Sequence, residues 1–140
     1  MRIRLADDAD QPQWDEFVLH HPQGIAYQLF AWKNAVEQAY GFRGLYLLAE
    51  KQDVVCGVLP LIHLKVPLLG GGKYISLPYC DIGGVLADDQ AICNALVLSA
   101  EELTRVNHVK GLELRQSVPL DPNHERAHAR KMRMVLKLPG

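Results

Sequence analysis

The chain has few cysteines and almost no net charge, and each shortage excludes a class of protein. Its 140 residues include three cysteines, and 15 basic side chains nearly balance 16 acidic ones, which leaves a formal net charge of -1. A dedicated nucleic-acid binder normally carries a strong basic surplus, so that class is not expected. The widely spaced Cys56, Cys80 and Cys93 give neither a disulfide framework nor a CxxC metal site, so buried, inert thiols are expected.

Long apolar runs are also missing from the sequence. No stretch approaches the roughly 20 apolar residues that are needed to cross a bilayer. Residues 1–10 are charged and alternating, unlike a secretory signal. We therefore expect a protein of the cytoplasm, a reducing compartment, without a transmembrane segment.

Common catalytic and metal-binding motifs are absent as well. There is no HExxH pattern, and the adjacent His20 and His21 would point about 100° apart on a helix, so no metal site is predicted. Ser76 and Ser117 lack the GxSxG elbow of a serine hydrolase. With 49% hydrophobic and 22% charged residues, the composition is that of an ordinary globular protein, and residues 1–140 are expected to form one domain.

Hydrophobic periodicity and turn residues predict a mixed α/β or α+β order. Gly41 stands where a helix end favours a left-handed residue, and Pro60 indicates an edge strand or a bulge. The predicted helices run from Pro12 to His21, from Gln28 to Tyr40, and from a cap at Asp88 or Asp89 to Asn107. The predicted strands are 1–6, 45–49, 54–64, 74–77, 111–115 and 132–138, with a hairpin turn at 50–53.

Two stretches raise the question of an anion site. Gly70, Gly71 and Gly72 precede Lys73, and backbone amides in such a run can hold a phosphate. The known phosphate loops lead into a helix, whereas a strand is predicted here, so a flexible loop between strands is favoured. The basic stretch 124–133 could meet a phosphate or an RNA backbone, but a solvated face is the commoner meaning of such a run.

The most unusual segment is 76–86, with the sequence SLPYCDIGGVL. Its glycines, Gly83 and Gly84, permit backbone shapes that other residues avoid. Tyr79 and Asp81 add an aromatic ring and a carboxylate to the same rigid turn. A ligand-facing loop and a structural turn that leads into the long helix both remain open.

Glu113 and Arg115 are two residues apart on a predicted strand, so their side chains share one face. They could form a polar pair at a cleft. They could equally form an exposed salt bridge that contributes little to stability.

Several phrases, in their order and spacing, match one family. They are Trp14-Asp-Glu-Phe-Val18 with His21-Pro22, Trp32, Ala39-Tyr40-Gly41, Gly57-Val-Leu-Pro-Leu61, Ser76-Leu-Pro78, Asp81, Gly83-Gly84-Val85-Leu86 and Leu112-Glu-Leu-Arg115. Together they resemble the FemAB-related, or Fem-like, proteins, including the branch associated with bacterial exopolysaccharide and exosortase loci. The resemblance extends over nearly the whole chain.

The resemblance implies a GNAT-like fold, a mixed and mainly antiparallel sheet flanked by helices, as one half of a Fem-type tandem. Fem-like proteins contain two such halves, of which the first helps to bind the acceptor and the second holds most of the acyl-donor side. The peptidoglycan-bridge members transfer an amino acid from aminoacyl-tRNA to an amine on a cell-wall precursor. This chain ends at Gly140, about where a first half would give way to a second, so we expect the first half, not active alone.

The function implied by this resemblance is transfer of an acyl or aminoacyl group onto an amine of a cell-envelope precursor. No residue is assigned as catalytic. The donor would be acyl-CoA or aminoacyl-tRNA, the latter unsupported by the charge balance, and no tightly bound cofactor is expected. The predicted acceptor-binding residues are Ser76, Tyr79, Asp81, Gly83, Gly84, Glu113 and Arg115.

Two family features are not found in this sequence. It lacks a clear Q/RxxGxG/A segment, which in GNAT enzymes presents amides to the pyrophosphate of CoA, and it lacks the helical-hairpin arm of some bridge-forming members. The alternatives are therefore a non-catalytic binding or dimerisation module, for which a homodimer is a reasonable expectation, and, ranked last, a stand-alone acetyl-CoA N-acetyltransferase.

Overall fold

The computed structural model describes residues 1–65 and 72–116, which contain three α-helices and eight short β-strands. The helices are α1 (Gln11–His20), α2 (Phe30–Tyr40) and α3 (Gln90–Val106). The strands are β1 (Arg2–Leu5), β2 (Arg43–Gly44), β3 (Leu47–Lys51), β4 (Val54–Leu59), β5 (Ile62–Leu64), β6 (Lys73–Ile75), β7 (Leu86–Ala87) and β8 (Leu112–Glu113). This mixed order is the one that the sequence predicts.

The strands form two four-stranded sheets, and the chain passes from one sheet to the other several times. The strand orders are β1-β3-β4-β7 and β2-β5-β6-β8, and every described pair is antiparallel except β6 with β8. Between β2 and β3, between β4 and β5, and between β6 and β7, the chain leaves one sheet and enters the other. The first two passages are short and hydrogen-bonded, since the Leu45 N–H donates to the Leu61 carbonyl at 2.7 Å. The third takes residues 76–85, which we name the crossing segment.

The hydrophobic core lies on both faces of the strands. Leu47 on β3 belongs to one buried cluster with Leu96 of α3. Its neighbour Leu48 belongs to a second cluster, with Trp14 of α1 and Phe30 of α2. Successive residues of a strand point to opposite sides, so α1 and α2 cover one face and α3 covers the other.

The predicted boundaries agree with most of the observed ones and fail at four places. Gly41 ends α2 with a φ of 65°, as expected. The predicted strand 54–64 divides at Pro60, because proline has no N–H to donate to a sheet. Neither part is an edge strand, since β4 lies between β3 and β7, and β5 lies between β2 and β6. The predicted turn 50–53 was too wide, since β3 continues to Lys51 and the turn consists of Gln52 and Asp53, with φ values of 52° and 61°. Strands β2 and β7 were not predicted.

Some predictions lie outside the described residues. These are the closing strand 132–138, the basic stretch 124–133, Ser117 and the first two glycines of the 70–72 run. Lys73 does lead into strand β6, as expected for a loop between strands. Within residues 1–65 and 72–116, no helix is long and apolar enough to cross a bilayer.

A largely buried ion pair joins β1 to the start of α1. The Arg4 guanidinium donates to both Asp10 carboxylate oxygens, at 2.5 and 2.6 Å, and the Asp7 N–H donates to Asp10 at 2.8 Å. Glu50 on β3 lies 3.3 Å from Arg4 on its other side. The hydrogen bonds from Arg4 outweigh desolvation and lower the pKa of Asp10 to about 2. One guanidinium thus ties the first helix to the sheet.

The lowered pKa predicts an acid-dependent loss of stability. A carboxylate whose folded pKa lies below its unfolded value stabilises the fold above the unfolded pKa, and this contribution is lost as the pH falls towards the folded pKa. For Asp10 it should be about 2 kcal/mol at neutral pH, declining between about pH 4 and pH 2. We expect urea denaturation to show Asp10→Asn less stable than the wild type at pH 7, with the difference narrowing at pH 3. A difference independent of pH would contradict this account.

Candidate functional site

Arg115 holds the crossing segment through three of its own groups. Its backbone N–H donates to the Ser76 hydroxyl at 2.8 Å, and its guanidinium donates to the Cys80 carbonyl at 2.5 Å. Its carbonyl accepts from the N–H groups of Gly83 and Gly84, at 3.0 and 3.1 Å. The segment is therefore fastened at its beginning, middle and end to one residue just beyond β8.

Contacts of two glutamine side chains, the buried Gln28 and the half-buried Gln116, complete this support. The Gln28 side chain donates to the Gly84 carbonyl at 2.9 Å and accepts from the Ile25 N–H at 3.1 Å. The Gln116 side chain accepts from the Val85 N–H at 2.5 Å. Gln28 lies in the connection between α1 and α2, so this connection is fastened to the same segment.

The backbone of the crossing segment takes shapes that most residues avoid. Leu77 and Tyr79 have φ values of 49° and 71°, and Gly83 has 153°. A Cβ atom at Gly83 would collide with the Leu77 side chain, and one at Gly84 would collide with the Gln116 side chain. Glycine is required at Gly83 by space and by its φ, whereas a side chain at Gly84 would displace the Gln116 amide from its bond to Val85.

The structure separates the predicted site residues of this segment into a buried and an exposed group. Ser76 is 0% exposed, and Gly83 and Gly84 are buried, so these three shape the segment from inside. Tyr79 is 63% exposed, and Asp81 is exposed. A ligand in solution would meet these two side chains.

Glu113 and Arg115 form the polar pair that their spacing predicts. The Glu113 carboxylate accepts from Lys73 at 2.8 Å and from Arg115 at 3.0 Å. The hydrogen bond from Lys73, and then that from Arg115, lowers the pKa of Glu113 against opposing desolvation. Glu113 is therefore an ionised carboxylate between two cations, which suits it to orient Arg115 rather than to take up a proton.

A row of stacked rings that includes Tyr79 of the crossing segment was not predicted. The Tyr79 ring stacks on Tyr40, at 5.1 Å between centroids, and Tyr40 stacks on Phe42 at 5.7 Å. We name these three residues the aromatic row. In the sequence, Tyr40 indicates only a helix end. No spacing rule connects it to Tyr79, because the two come together only in the folded chain.

The cysteines are shielded, as expected. Cys56 and Cys80 are buried and Cys93 is half-buried, and all three are free thiols. Burial raises the pKa of each thiol. Within residues 1–65 and 72–116, no three histidine, cysteine or carboxylate side chains are grouped to hold a metal ion.

A groove of about 460 Å³ lies between α1 and the β3–β4 turn, and it contains none of the predicted site residues. Its walls include the carboxylates of Glu16, Asp53 and Asp88, together with His20 and His21. His21 is already engaged, since its Nδ1 accepts from the Gln23 N–H at 3.1 Å and its Nε2 lies 3.3 Å from the Ala87 carbonyl. The groove is thus separate from the predicted site.

The starts of α2 and α3 are covered by carboxylates of the chain itself. At α3, Asp89 accepts from the Ile92 N–H at 2.8 Å, and this bond lowers the pKa of Asp89. At α2, Asp15 accepts from the Phe30 N–H at 2.8 Å. At each of these helix starts, at least one amide is therefore already bonded to a carboxylate, whose negative charge would repel an anion.

No family model and no curated protein matches the chain, whereas several solved structures resemble its fold. FemX is 24% identical over 78% of this chain, with a TM-score of 0.59, and the chain spans 25% of FemX. An acetyltransferase from Trypanosoma brucei is 19% identical, with a TM-score of 0.65, and the match covers 96% of this chain and 99% of that one. An aminoglycoside N-acetyltransferase solved with CoA is 9% identical, with a TM-score of 0.55, and 99% of each chain is covered. These likenesses show that the fold is that of GNAT-type acetyltransferases, as predicted.

The buried glutamine offers a test of how the crossing segment is held. We expect Gln28→Ala to lower the free energy of unfolding by about 2–4 kcal/mol, because it leaves the buried Gly84 carbonyl and Ile25 N–H without partners. Gln90→Ala is the control, since Gln90 is exposed and, among residues 1–65 and 72–116, its side chain bonds only to Asn94. Urea denaturation measures both changes. A Gln28 variant as stable as the Gln90 variant would show that this contact does not hold the segment.

Proposed function

We propose that this chain is the acceptor-binding domain of a Fem-like transferase that moves an acyl or aminoacyl group onto an amine of a cell-envelope precursor. The observation that carries the proposal is the crossing segment, which is rigidly held yet presents Tyr79 and Asp81 to solvent. The domain has the fold shared with FemX and aligns with a quarter of that protein. The activity of any longer protein is part of the proposal.

The chemistry of the crossing segment suits an amine acceptor. An exposed carboxylate such as Asp81 attracts a protonated amine and accepts hydrogen bonds from it. A rigid support matters because much of the acceleration in acyl transfer comes from holding the amine in line with an activated carbonyl. Arg115 and Glu113 act here as positioning residues, because they hold the segment from behind.

The described residues do not fit a CoA donor. CoA carries a pyrophosphate, and free amides at a helix start are a common site for such an anion. Asp89 covers the start of α3 and Asp88 precedes it, so negative charge stands where phosphate would have to bind. We therefore assign the donor, whether acyl-CoA or aminoacyl-tRNA, to residues outside this site, and no step at this site passes through it.

A stand-alone acetyltransferase is the second candidate function. It is favoured by the similarity to the Trypanosoma brucei enzyme, which spans nearly all of both chains. The Asp89 carboxylate at the start of α3 disfavours it, because this negative charge would repel the phosphates of CoA. A non-catalytic binding or dimerisation module would use the same exposed side chains without any transfer.

Ligand-dependent thermal stability tests the proposal. We expect muropeptide and nucleotide-sugar precursors to raise the unfolding temperature of the chain, since a ligand at a hundred times its Kd stabilises a fold by about 2.7 kcal/mol. Asp81→Asn should reduce this shift while the chain stays folded. The matched control is Asp53→Asn, at an exposed aspartate of the β3–β4 turn where asparagine also tolerates the positive φ of 61°.

The outcomes separate the candidates. A shift with envelope precursors that Asp81→Asn removes and Asp53→Asn keeps supports the acceptor domain. A shift with acetyl-CoA alone would instead support the stand-alone acetyltransferase. No shift with any ligand would reject the acceptor domain in favour of the non-catalytic module.

A further inference from the structure

Two of the three members of the aromatic row are exposed although they are large and largely apolar, whereas Phe42 is half-buried. Tyr79 and Tyr40 are 63% and 56% exposed. The Tyr79 and Tyr40 rings are inclined by 29°, and those of Tyr40 and Phe42 by 13°, so all three are stacked. Two separate parts of the chain, the end of α2 and the crossing segment, supply the rings. The stacking fixes the orientation of the Tyr79 ring.

Tyr79 also has an unfavourable backbone conformation. Its φ of 71° lies in the left-handed region, which glycine adopts freely and which is an outlier for a bulky residue. Strain of this kind persists where the surroundings enforce it, and it is concentrated at ligand-binding places. Here the surroundings are the bonds of Cys80 and Gly83 to Arg115. The fold thus holds an aromatic side chain outward at a position where glycine would be relaxed.

The size of the row fits a small ligand better than a protein partner. A tyrosine buries about 150–250 Å² when it is covered, so the exposed parts of Tyr40 and Tyr79 amount to something on the order of 250 Å². A stable protein interface buries about 800 Å² on each partner. The row offers about a third of that area, which is enough for one or two rings of a ligand.

We propose that the aromatic row is a stacking platform for a sugar ring, with the ring lying on the outer face of Tyr79. This rests on the proposed function and names the sugar as the part of the acceptor that is recognised there. The face of an aromatic ring is negative, and the C–H groups on one face of a pyranose are weakly positive, so the two attract while water is displaced. Asp81, two residues further on, would then bind a hydroxyl or amine of the same ligand.

The test uses probes that each carry one part of an envelope precursor. The ring signals of Tyr40 and Tyr79 are followed by NMR while the chain is titrated with an N-acetylhexosamine disaccharide, with uridine diphosphate, or with a short alanine-rich peptide. We expect the disaccharide to shift both sets of signals. Tyr79→Gly should weaken its binding roughly threefold to tenfold, since it removes one stacked ring, whereas Tyr79→Phe should retain it.

Tyr79→Gly is informative because glycine relieves the strained backbone instead of disrupting it. His108→Gly is the matched control, because His108 is exposed, has a φ of 52° and belongs to no ring contact in the described residues. It should leave sugar binding unchanged. Equal weakening in both variants would overturn the platform.

The other possible results of the titration also test the proposal. Ring shifts with the diphosphate or the peptide but not the disaccharide would overturn the sugar assignment, and so would the absence of any shift. Shifts that depend on protein concentration alone would make the row a contact between two copies. Precursor binding lost in Asp81→Asn but kept in Tyr79→Gly would reject the platform and leave the proposed function intact. Sugar binding without any thermal stabilisation by the precursors would reject the proposed function and leave the platform intact.

Discussion

The candidate site depends on the way in which Arg115 closes the gap between β6 and β7. At three places the chain passes directly from a strand of one sheet to a strand of the other. The first two connections are joined to each other by a backbone hydrogen bond, from the Leu45 N–H to the Leu61 carbonyl. The third passage is longer, and its backbone bonds reach the end of β8, since the Ser76 N–H donates to the Glu113 carbonyl and those of Gly83 and Gly84 donate to the Arg115 carbonyl. Arg115 adds its own N–H, which donates to the Ser76 hydroxyl, and its guanidinium, which donates to the Cys80 carbonyl. Buried polar groups without partners would be costly there, so the segment can leave the sheet only while Arg115 stays in place.

This arrangement explains how one loop is both rigid and exposed. Its ends are buried, as Ser76 and Gly84 show. In its middle, Cys80 is buried, whereas the side chains of Tyr79 and Asp81 on either side of it are exposed to solvent. Loops usually gain exposure at the expense of rigidity. Here the rigidity comes from partners on the neighbouring strand end and on the α1–α2 connection, so exposed side chains keep a fixed position.

The difference between local and long-range contacts decides how much the sequence could predict. The helices follow from local signals, since Gly41 ends α2 and Asp89 caps α3 within one turn of the residues that they affect. The segment 76–86 was also recognised, because its glycines are unusual in themselves. Its supports were not, because Gln28 and Gly84 are 56 residues apart and Val85 and Gln116 are 31 apart. Such pairs have no period or motif, and neither does the aromatic row, so only the folded chain brings them together.

The fold alone does not choose between donor and acceptor chemistry, since it is shared with complete acetyltransferases and with a quarter of FemX. The acceptor role that we propose rests on the charges at its edges. An anionic donor is often bound by free amides at a helix start, whereas Asp15 and Asp89 each bond one amide at the starts of α2 and α3. A domain that binds a neutral or cationic acceptor gains from exposed carboxylates and aromatic faces, and Asp81 and Tyr79 provide both on one rigid segment. Our proposal of an acceptor role therefore rests on the distribution of charge more than on the topology.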